Sequence, residues 1–285
     1  MIVRVPPTVI PGASFEVSVA DLPAGTEKVE ARLVKQEKCE VHQGGIAKTG
    51  RYSYEGATYV HEGKDQETCA ISETDKILNN SAVVTLLVSE AAPPSVCVES
   101  TRAVISYTVS VTCILAKGKK SVVSAPITVG PRPYAGGAQP LKDTESIRMI
   151  SCCCCDNGNL EVTVSGETSV FSQSRNAEFE VSFEGSGVAK LTSATISVGS
   201  CTHIQSTGAV QLVPVRNKMR SNTENDQKLT NVRAGRKYKM SIVLGDVQPL
   251  AKGRIVQCEH SIDVVIQYGA GGTERTLSFP VVIVL

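Results

Sequence analysis

The chain has 285 residues, 41% of them hydrophobic, with 29 Lys and Arg against 28 Asp and Glu and a formal net charge of +1. That length admits two domains of ordinary size or one large β domain, and the balanced charge excludes the global field that selects nucleic acid or an acidic partner. Aromatics are only 4% and Trp is absent, so a core is to be filled by Val, Ile, Leu, Ala and Cys, residues suited to pleated, half-buried surfaces.

The opening "MIVRVPPTVIPG" is broken by prolines and lacks the continuous apolar stretch of a secretory signal. "SFEVSVA" (14–20) then alternates with period two, which predicts a strand with one buried face. "HEGKDQETCAISETDKILNNS" (61–81) is polar and reads as a long loop or an irregular strand pair, the kind of element on which binding residues concentrate. Asn79-Asn80-Ser81 fits a glycosylation sequon, without consequence in a cytosolic chain.

In "VISYTVSVTCIL" (104–115), Tyr107, Val109, Val111, Cys113 and Leu115 share one face while Ser110 and Thr112 point the other way. Lys117, Lys119 and Lys120 follow in the turn of a predicted hairpin, and "SAPITVG" (124–130) closes the first half. The stretch 130–148, "GPRPYAGGAQPLKDTESIR", is rich in Pro and Gly and reads as a linker.

The second half opens on Cys152, Cys153, Cys154 and Cys155 and alternates again in "LEVTVSG" (160–166), "EFEVSFEG" (178–185) and "HSIDVVIQY" (260–268). Its last run, "FPVVIVL", like "AVVTLLV" earlier, is shorter than the ~20 residues that span a bilayer. The reading is a chain that does not cross a membrane, soluble and intracellular, with its cysteines kept as thiols.

The two halves repeat one plan. "FEVSV" at Phe15 is matched by "FEVSF" at Phe179, and "CEVHQGG" at Cys39 by "CTHIQSTG" at Cys201. A proline, Pro126 or Pro280, opens the closing strand of each half, where no ladder N–H is needed. The expected class is all-β: two tandem β-sandwich domains at residues 1–130 and 147–285, joined by a linker at 131–146.

Four adjacent cysteines cannot close a tetrahedron around one Zn²⁺, because alternate side chains diverge on a strand. Cys201-Thr202-His203 and Cys258-Glu259-His260 are two C-x-H pairs, each with both groups on one strand face; they form the candidate metal site, set against the ordinary occurrence of buried Cys and His in β proteins. S-acylation of the cysteine run is a further reading, and packing at the start of the second sandwich the plain one. Cys39 and His42 fall on opposite faces of a strand, and no nucleophile elbow, H-E-x-x-H or phosphate loop occurs, so no enzyme and no cofactor are expected.

From Arg216 to Lys239 the chain carries Arg216, Lys218, Arg220, Lys228, Arg233, Arg236, Lys237 and Lys239 against Glu224 and Asp226. This is the candidate site for an anionic phospholipid or phosphoinositide headgroup, each basic residue contributing about 1 kcal/mol. The alternative is a solvated loop that serves solubility. Tyr238 is the lone aromatic there, so the stacking platform for single-stranded nucleic acid is missing.

"APPSVCVE", "AVISYTVSVTCIL" and "KKSVVSAPITVG" together resemble the end of an arrestin N-domain, and "CCCCDNGNLEVTVSGETSVFSQSRNAEFEVSF" the start of the C-domain of α-arrestins (arrestin-domain-containing proteins). "RKYKMSIVLGDVQPL", "GRIVQCEHSIDVVIQY" and "LSFPVVIV" are similar to that C-domain's ending. Departures are Pro11-Gly12-Ala13 and Ser174-Arg175-Asn176 where the family carries Pro-Gly-Glu, and an opening segment without paired lysines, so phosphate sensing is not expected. "GPRPYAG" is not a PPxY match, and the chain ends on its last strand, so ligase recruitment through a tail is not expected either.

The resemblance implies an arrestin-like adaptor that binds cytoplasmic tails of membrane proteins in trafficking, endocytic sorting or signal transduction, located in the cytoplasm and peripherally on endosomal or plasma membrane. Strand addition at an open sheet edge suits such a partner. The alternatives are a retromer-type coat subunit of the same fold and a surface two-domain adhesion module of immunoglobulin type.

Overall fold

Alternation of apolar and polar residues along nearly every strand organises the fold. The computed structural model describes residues 1–49, 52–98, 102–151, 155–204, 215–217, 226–244, 247–269 and 272–284, with backbone alone at 41–49, 52–62, 151, 155 and 215–217. Strand accounts for 69% and helix for 3%, so the all-β class with two sandwich domains is what the protein adopts. Among the described residues no helix is long and apolar enough to cross a membrane.

The first half runs through β1 (Ile2–Arg4), β2 (Thr8–Val9), β3 (Ser14–Ala20), β4 (Thr26–Thr49), β5 (Tyr52–Thr74), β6 (Ala82–Leu87), β7 (Val96–Val98), β8 (Ala103–Leu115) and β9 (Lys120–Val129). The second half continues with β10 (Leu141–Ser151), β11 (Cys155–Gly166), β12 (Val170–Ser172), β13 (Asn176–Glu184), β14 (Leu191–Ile204) and β15 (Val215–Asn217). It ends with β16 (Gln227–Thr230), β17 (Lys237–Val243), β18 (Ala251–Lys252), β19 (Val256–Tyr268) and β20 (Thr273–Val284).

Two compact units result. The first comprises Met1–Arg132, Thr202–Asn217 and Leu250–Cys258, and the second Pro133–Cys201, Lys218–Pro249 and Glu259–Leu285. The expected first domain, residues 1–130, thus has a counterpart whose first segment ends at Arg132 but which also takes in two segments from late in the chain. Strand β10 begins at Leu141, inside the stretch read as linker; Leu141 and Met149 are buried at either end of it, a face that the Pro and Gly just before it mask in the sequence.

In the first unit a three-stranded sheet, β1-β3-β6, packs its inner residues Phe15, Val17, Val19, Ala82, Val84 and Leu86 into the core. The second sheet runs β2-β9-β8-β4-β5, with β7 on β8. Its inner residues include Val29, Ala31, Leu33, Ile105, Val109, Val111 and Cys113, all essentially without solvent contact. Tyr107 lies in the same core and donates its hydroxyl to Pro93 O at 2.7 Å, which satisfies the one polar atom that an aromatic of this kind brings inside.

The second unit repeats the scheme. One sheet runs β10-β11-β13-β17, and the other carries β12, β20, β19 and β14 in that order, with β16 on β14. Both units end in an antiparallel pair, β8 with β9 and β19 with β20, and in both the closing strand takes a short parallel partner: Val9 opposite Val129, and Phe171 opposite Ile283. The "FEVSV" and "FEVSF" strings lie in β3 and β13, interior strands of the corresponding sheets. Phe179 and Phe183 are buried here; Phe171 packs on Phe179 at 6.3 Å and Tyr238 meets Phe183 edge-on at 6.0 Å.

The polar stretch 61–81 is not a loop through most of its length. Residues 61–74 belong to β5, which pairs with β4 from Thr74 opposite Val29 to Tyr52 opposite Thr49. Apolar alternation is missing along this strand; Glu67 stands directly opposite Lys35 and pairs with it, while Asp65 stands opposite Glu37 and Lys64 opposite Lys38. Only after Thr74 does the chain turn, through Asn79 and Asn80 in left-handed conformation. Replacing Tyr107 by Phe is expected to destabilise the first unit by about 1–2 kcal/mol, since Pro93 O stays buried without its donor; urea unfolding of the two proteins measures the difference.

Candidate functional site

The basic segment is the first candidate. Strand β16 enters a turn through Asn231, at φ 57°, and leaves it through Gly235, at φ 72°. Tyr238, the second residue of β17, anchors this turn: its hydroxyl accepts the Arg233 backbone N–H at 2.8 Å, and the Arg236 guanidinium lies 5.3 Å from its ring centre. Leu229 and Val232 pack against the core of the second unit. The charged side chains are thereby left outside, and Lys228, Arg233, Arg236, Lys237 and Lys239 are all exposed.

Their acid partners are few. Lys237 Nζ is 3.3 Å from Glu180 Oε2, and Lys239 stands opposite Glu180 in the ladder. Among the described residues Lys228, Arg233 and Arg236 form no ion pair with a carboxylate. Five of the eight basic residues named from the sequence are thus exposed: Arg233 and Arg236 on the turn, Lys237 and Lys239 on β17, and Lys228 on β16, which pairs with β14 in the other sheet. Arg216 lies on β15, opposite His203, in a segment counted with the first unit, and its side chain is outside the described residues, as are Lys218 and Arg220 altogether. Lys117 and Lys119 are exposed around the turn between β8 and β9, where Lys117 adopts a φ of 65°.

The C-x-H pairs have the same-face geometry that their spacing implies, and Cys258 and His260 are occupied in the fold. Cys258 is buried, and its Sγ lies 3.5 Å from Thr202 Oγ1. Cys201 is buried on β14, two residues before half-buried His203. The His260 ring is held at both nitrogens: Nδ1 accepts the Ile283 N–H at 2.9 Å, so Nε2 carries the proton and donates to Gln248 O at 2.8 Å. That ring has no lone pair to offer a metal. Among the described residues no group of three or more His, Cys, Asp and Glu side chains is placed to hold a metal ion.

Cys152, Cys153 and Cys154 lie outside the described residues, and Cys155 begins β11. Cys39 is buried on β4, while the side chain of His42 on the same strand is outside the described residues. Cys39, Cys69, Cys97, Cys113, Cys201 and Cys258 are thiols.

A third cluster was not singled out from the sequence. Lys35 and Glu37 are buried on one face of β4, at 5% and 0% exposure. Lys35 Nζ binds Glu37 Oε1 at 2.9 Å and Glu67 Oε2 at 3.0 Å. Glu37 also accepts the backbone N–H groups of Arg254, Ile255 and Val256 at 3.0, 2.9 and 3.2 Å, all within the first unit.

Burial pushes the Glu37 carboxyl up, but the Ile255 and Arg254 amides and the Lys35 ammonium pull it further down, and the net pKa is lowered. Burial likewise opposes the Lys35 charge, and Glu37 and Glu67 outweigh it, so the Lys35 pKa is raised. Gly253 is required beside this carboxylate: a Cβ there would stand 2.4 Å from Glu37 Oε2 and 2.5 Å from Val256 O. The signal available in the sequence was the i, i+2 pair Lys35 and Glu37 on a strand otherwise apolar on that face.

No protein-family model matches the chain, and no curated protein matches it at a significant level.

Two outcomes follow from these groups. Glu37→Ala leaves the Lys35 ammonium with one, half-exposed partner and three amides without an acceptor, and is expected to cost about 3–5 kcal/mol in urea unfolding. His260 is held neutral: burial lowers its pKa from 6.5 against the smaller opposing pull of Gln248. The unfolded chain therefore takes up this proton first, so the contribution is full above about pH 6.5 and is lost as the pH falls below it. The melting temperature is expected to fall between pH 7 and 5, and to fall less in His260→Gln.

Proposed function

We propose that the protein is an arrestin-like adaptor that acts by binding cytoplasmic parts of membrane proteins and is held at the membrane by anionic lipid headgroups. The observation that carries this reading is the Tyr238-anchored turn with the strand before it: Arg233 and Arg236 on the turn and Lys228 on β16 are exposed without carboxylate partners among the described residues. Charges fixed on a rigid sandwich in this way suit a multivalent phosphate surface, to which each contributes about 1 kcal/mol. Lys237 and Lys239 add less, since Glu180 lies between them.

The two units of like topology support the adaptor part of the reading, because each sandwich offers strand edges and loops to a partner. The cargo class rests on the resemblance of the strand motifs to α-arrestins.

Sedimentation with vesicles of phosphatidylcholine and phosphatidylserine, with and without phosphatidylinositol bisphosphate, tests the lipid arm. Wild-type protein is expected to bind the anionic vesicles and to lose binding as salt is raised. The triple variant Lys228→Ala, Arg233→Ala, Arg236→Ala is expected to bind about 100-fold more weakly at low salt, as three contributions of about 1 kcal/mol imply. Equal binding of neutral and anionic vesicles, or of variant and wild type, contradicts the reading.

A further inference from the structure

Three turns of the first unit are laced together at one end of its sandwich. They are residues 21–25 between β3 and β4, 75–81 between β5 and β6, and 116–119 between β8 and β9. The Leu22 N–H donates to Asn80 O at 3.1 Å, and the Ala116 N–H to Gly25 O at 3.0 Å. Left-handed backbone collects here. Of the described residues other than glycine, Asp21, Asn79, Asn80 and Lys117 on these turns hold a positive φ, as do only Arg102 and Asn231 elsewhere. Asp and Asn adopt that conformation with little strain, whereas a lysine does not. Lys117, at φ 65°, stands where glycine would fit freely.

The middle turn carries an aliphatic tip. Leu78 is 76% exposed, more than any other large hydrophobic residue among those described. Its side chain takes no part in closing the turn. The Leu78 N–H donates to Ser81 O at 3.0 Å, and Leu78 O accepts the Ser81 N–H at 2.9 Å and the Ser81 hydroxyl at 2.8 Å. The leucine is thus held out in water on a fixed backbone. Around it Lys76, Lys117, Lys119 and, at the start of β9, Lys120 are exposed, as are Asp21, Asp75 and, as second residue of β4, Glu27. Among the described residues Lys76, Lys117 and Lys119 form no ion pair.

We infer that this end of the first unit is a second lipid contact, at which Leu78 enters the headgroup layer of a membrane and the four lysines meet its phosphates. The inference rests on the lipid reading of the turn between β16 and β17, which supplies the attraction to an anionic surface. Four lysines against three carboxylates give little steering of their own, so the excess charge does not choose the occupant. The mixture of signs does. A phospholipid layer presents ammonium as well as phosphate groups, and Asp21, Asp75 and Glu27 find partners there, whereas an acidic peptide would set carboxylate against carboxylate. Lysine stems lie along apolar surface while their ammonium groups stay in the polar layer, so the lysines flank an inserted leucine without leaving the phosphates. The same contact accounts for Lys117, which keeps a charge at the rim where glycine would relieve the backbone.

The chain contains no tryptophan. Leu78→Trp therefore places a single indole at the tip, and Leu87→Trp places one at the exposed far end of β6. Each full-length variant is mixed with vesicles of phosphatidylcholine and phosphatidylserine, with or without bromine on the acyl chains near the headgroup. Emission from position 78 is expected to move to shorter wavelength and to be quenched by the brominated lipid, while position 87 keeps its aqueous emission. Leu78→Ser is expected to weaken vesicle binding about tenfold at an unchanged melting temperature, as loss of a buried aliphatic side chain implies. Lys117→Gly is expected to weaken binding about fivefold while its melting temperature stays equal or rises, because the left-handed backbone is relieved.

Sedimentation of the wild type with these vesicles, without an emission shift at position 78, would overturn the tip contact and leave the lipid reading of the second unit standing. An equal shift at positions 78 and 87 would overturn it as well. Failure of the wild type to sediment at low salt would remove the lipid reading and this contact together.

Discussion

The Glu37 carboxylate is the constraint around which the first unit is organised. It is fully buried on β4, a strand whose neighbouring inward residues Val29, Ala31 and Leu33 are apolar. A carboxylate in such a place is tolerated only when its charge and its lone pairs are met. Lys35 meets the charge, and the amides of Arg254, Ile255 and Val256 meet the lone pairs. The consequence is topological: a segment more than 200 positions away in sequence is counted with the first unit because its backbone has an acceptor there. Gly253 follows from the same requirement, since no Cβ fits between the carboxylate and Val256 O.

His260 does comparable work in the second unit with neutral chemistry. Its two ring nitrogens join Ile283, on the closing strand, to Gln248, in the segment before β18. A side chain that the sequence offered as a metal ligand is in this fold a bridge between strands, and its buried ring favours the uncharged form. Glu37 and His260 thus both stand where the chain brings remote segments together.

Much of the architecture was legible because alternation is a local signal. Residues 14–20 form β3, 104–115 lie in β8, 178–184 in β13 and 260–268 in β19; the prolines at 126 and 280, expected to open the closing strands, instead lie inside β9 and β20, which begin earlier, at Lys120 and Thr273. Strand 61–74 was legible only as one of two alternatives, a loop or an irregular strand pair, since no alternating apolar face marks it. The assignment of Leu250–Cys258 to the first unit was not legible, because a buried carboxylate announces itself only when its distant amides are known. Of the basic residues, those on the turn between β16 and β17 were placed by their density in sequence. The part played by Tyr238 in fixing that turn depends on a ring contact with Phe183 in another strand.

Amide hydrogen exchange at Ile255 and Val256 addresses the Glu37 clamp most directly. The account predicts that both amides exchange slowly at neutral pH, close to the rate set by unfolding of the first unit. It further predicts that both lose protection together, relative to their intrinsic exchange rates, once the pH falls through the lowered pKa of Glu37, since protonation weakens the acceptor and the contribution present above that pKa is lost. Rapid exchange of these two amides at neutral pH, in protein whose β8 amides remain protected, would contradict it.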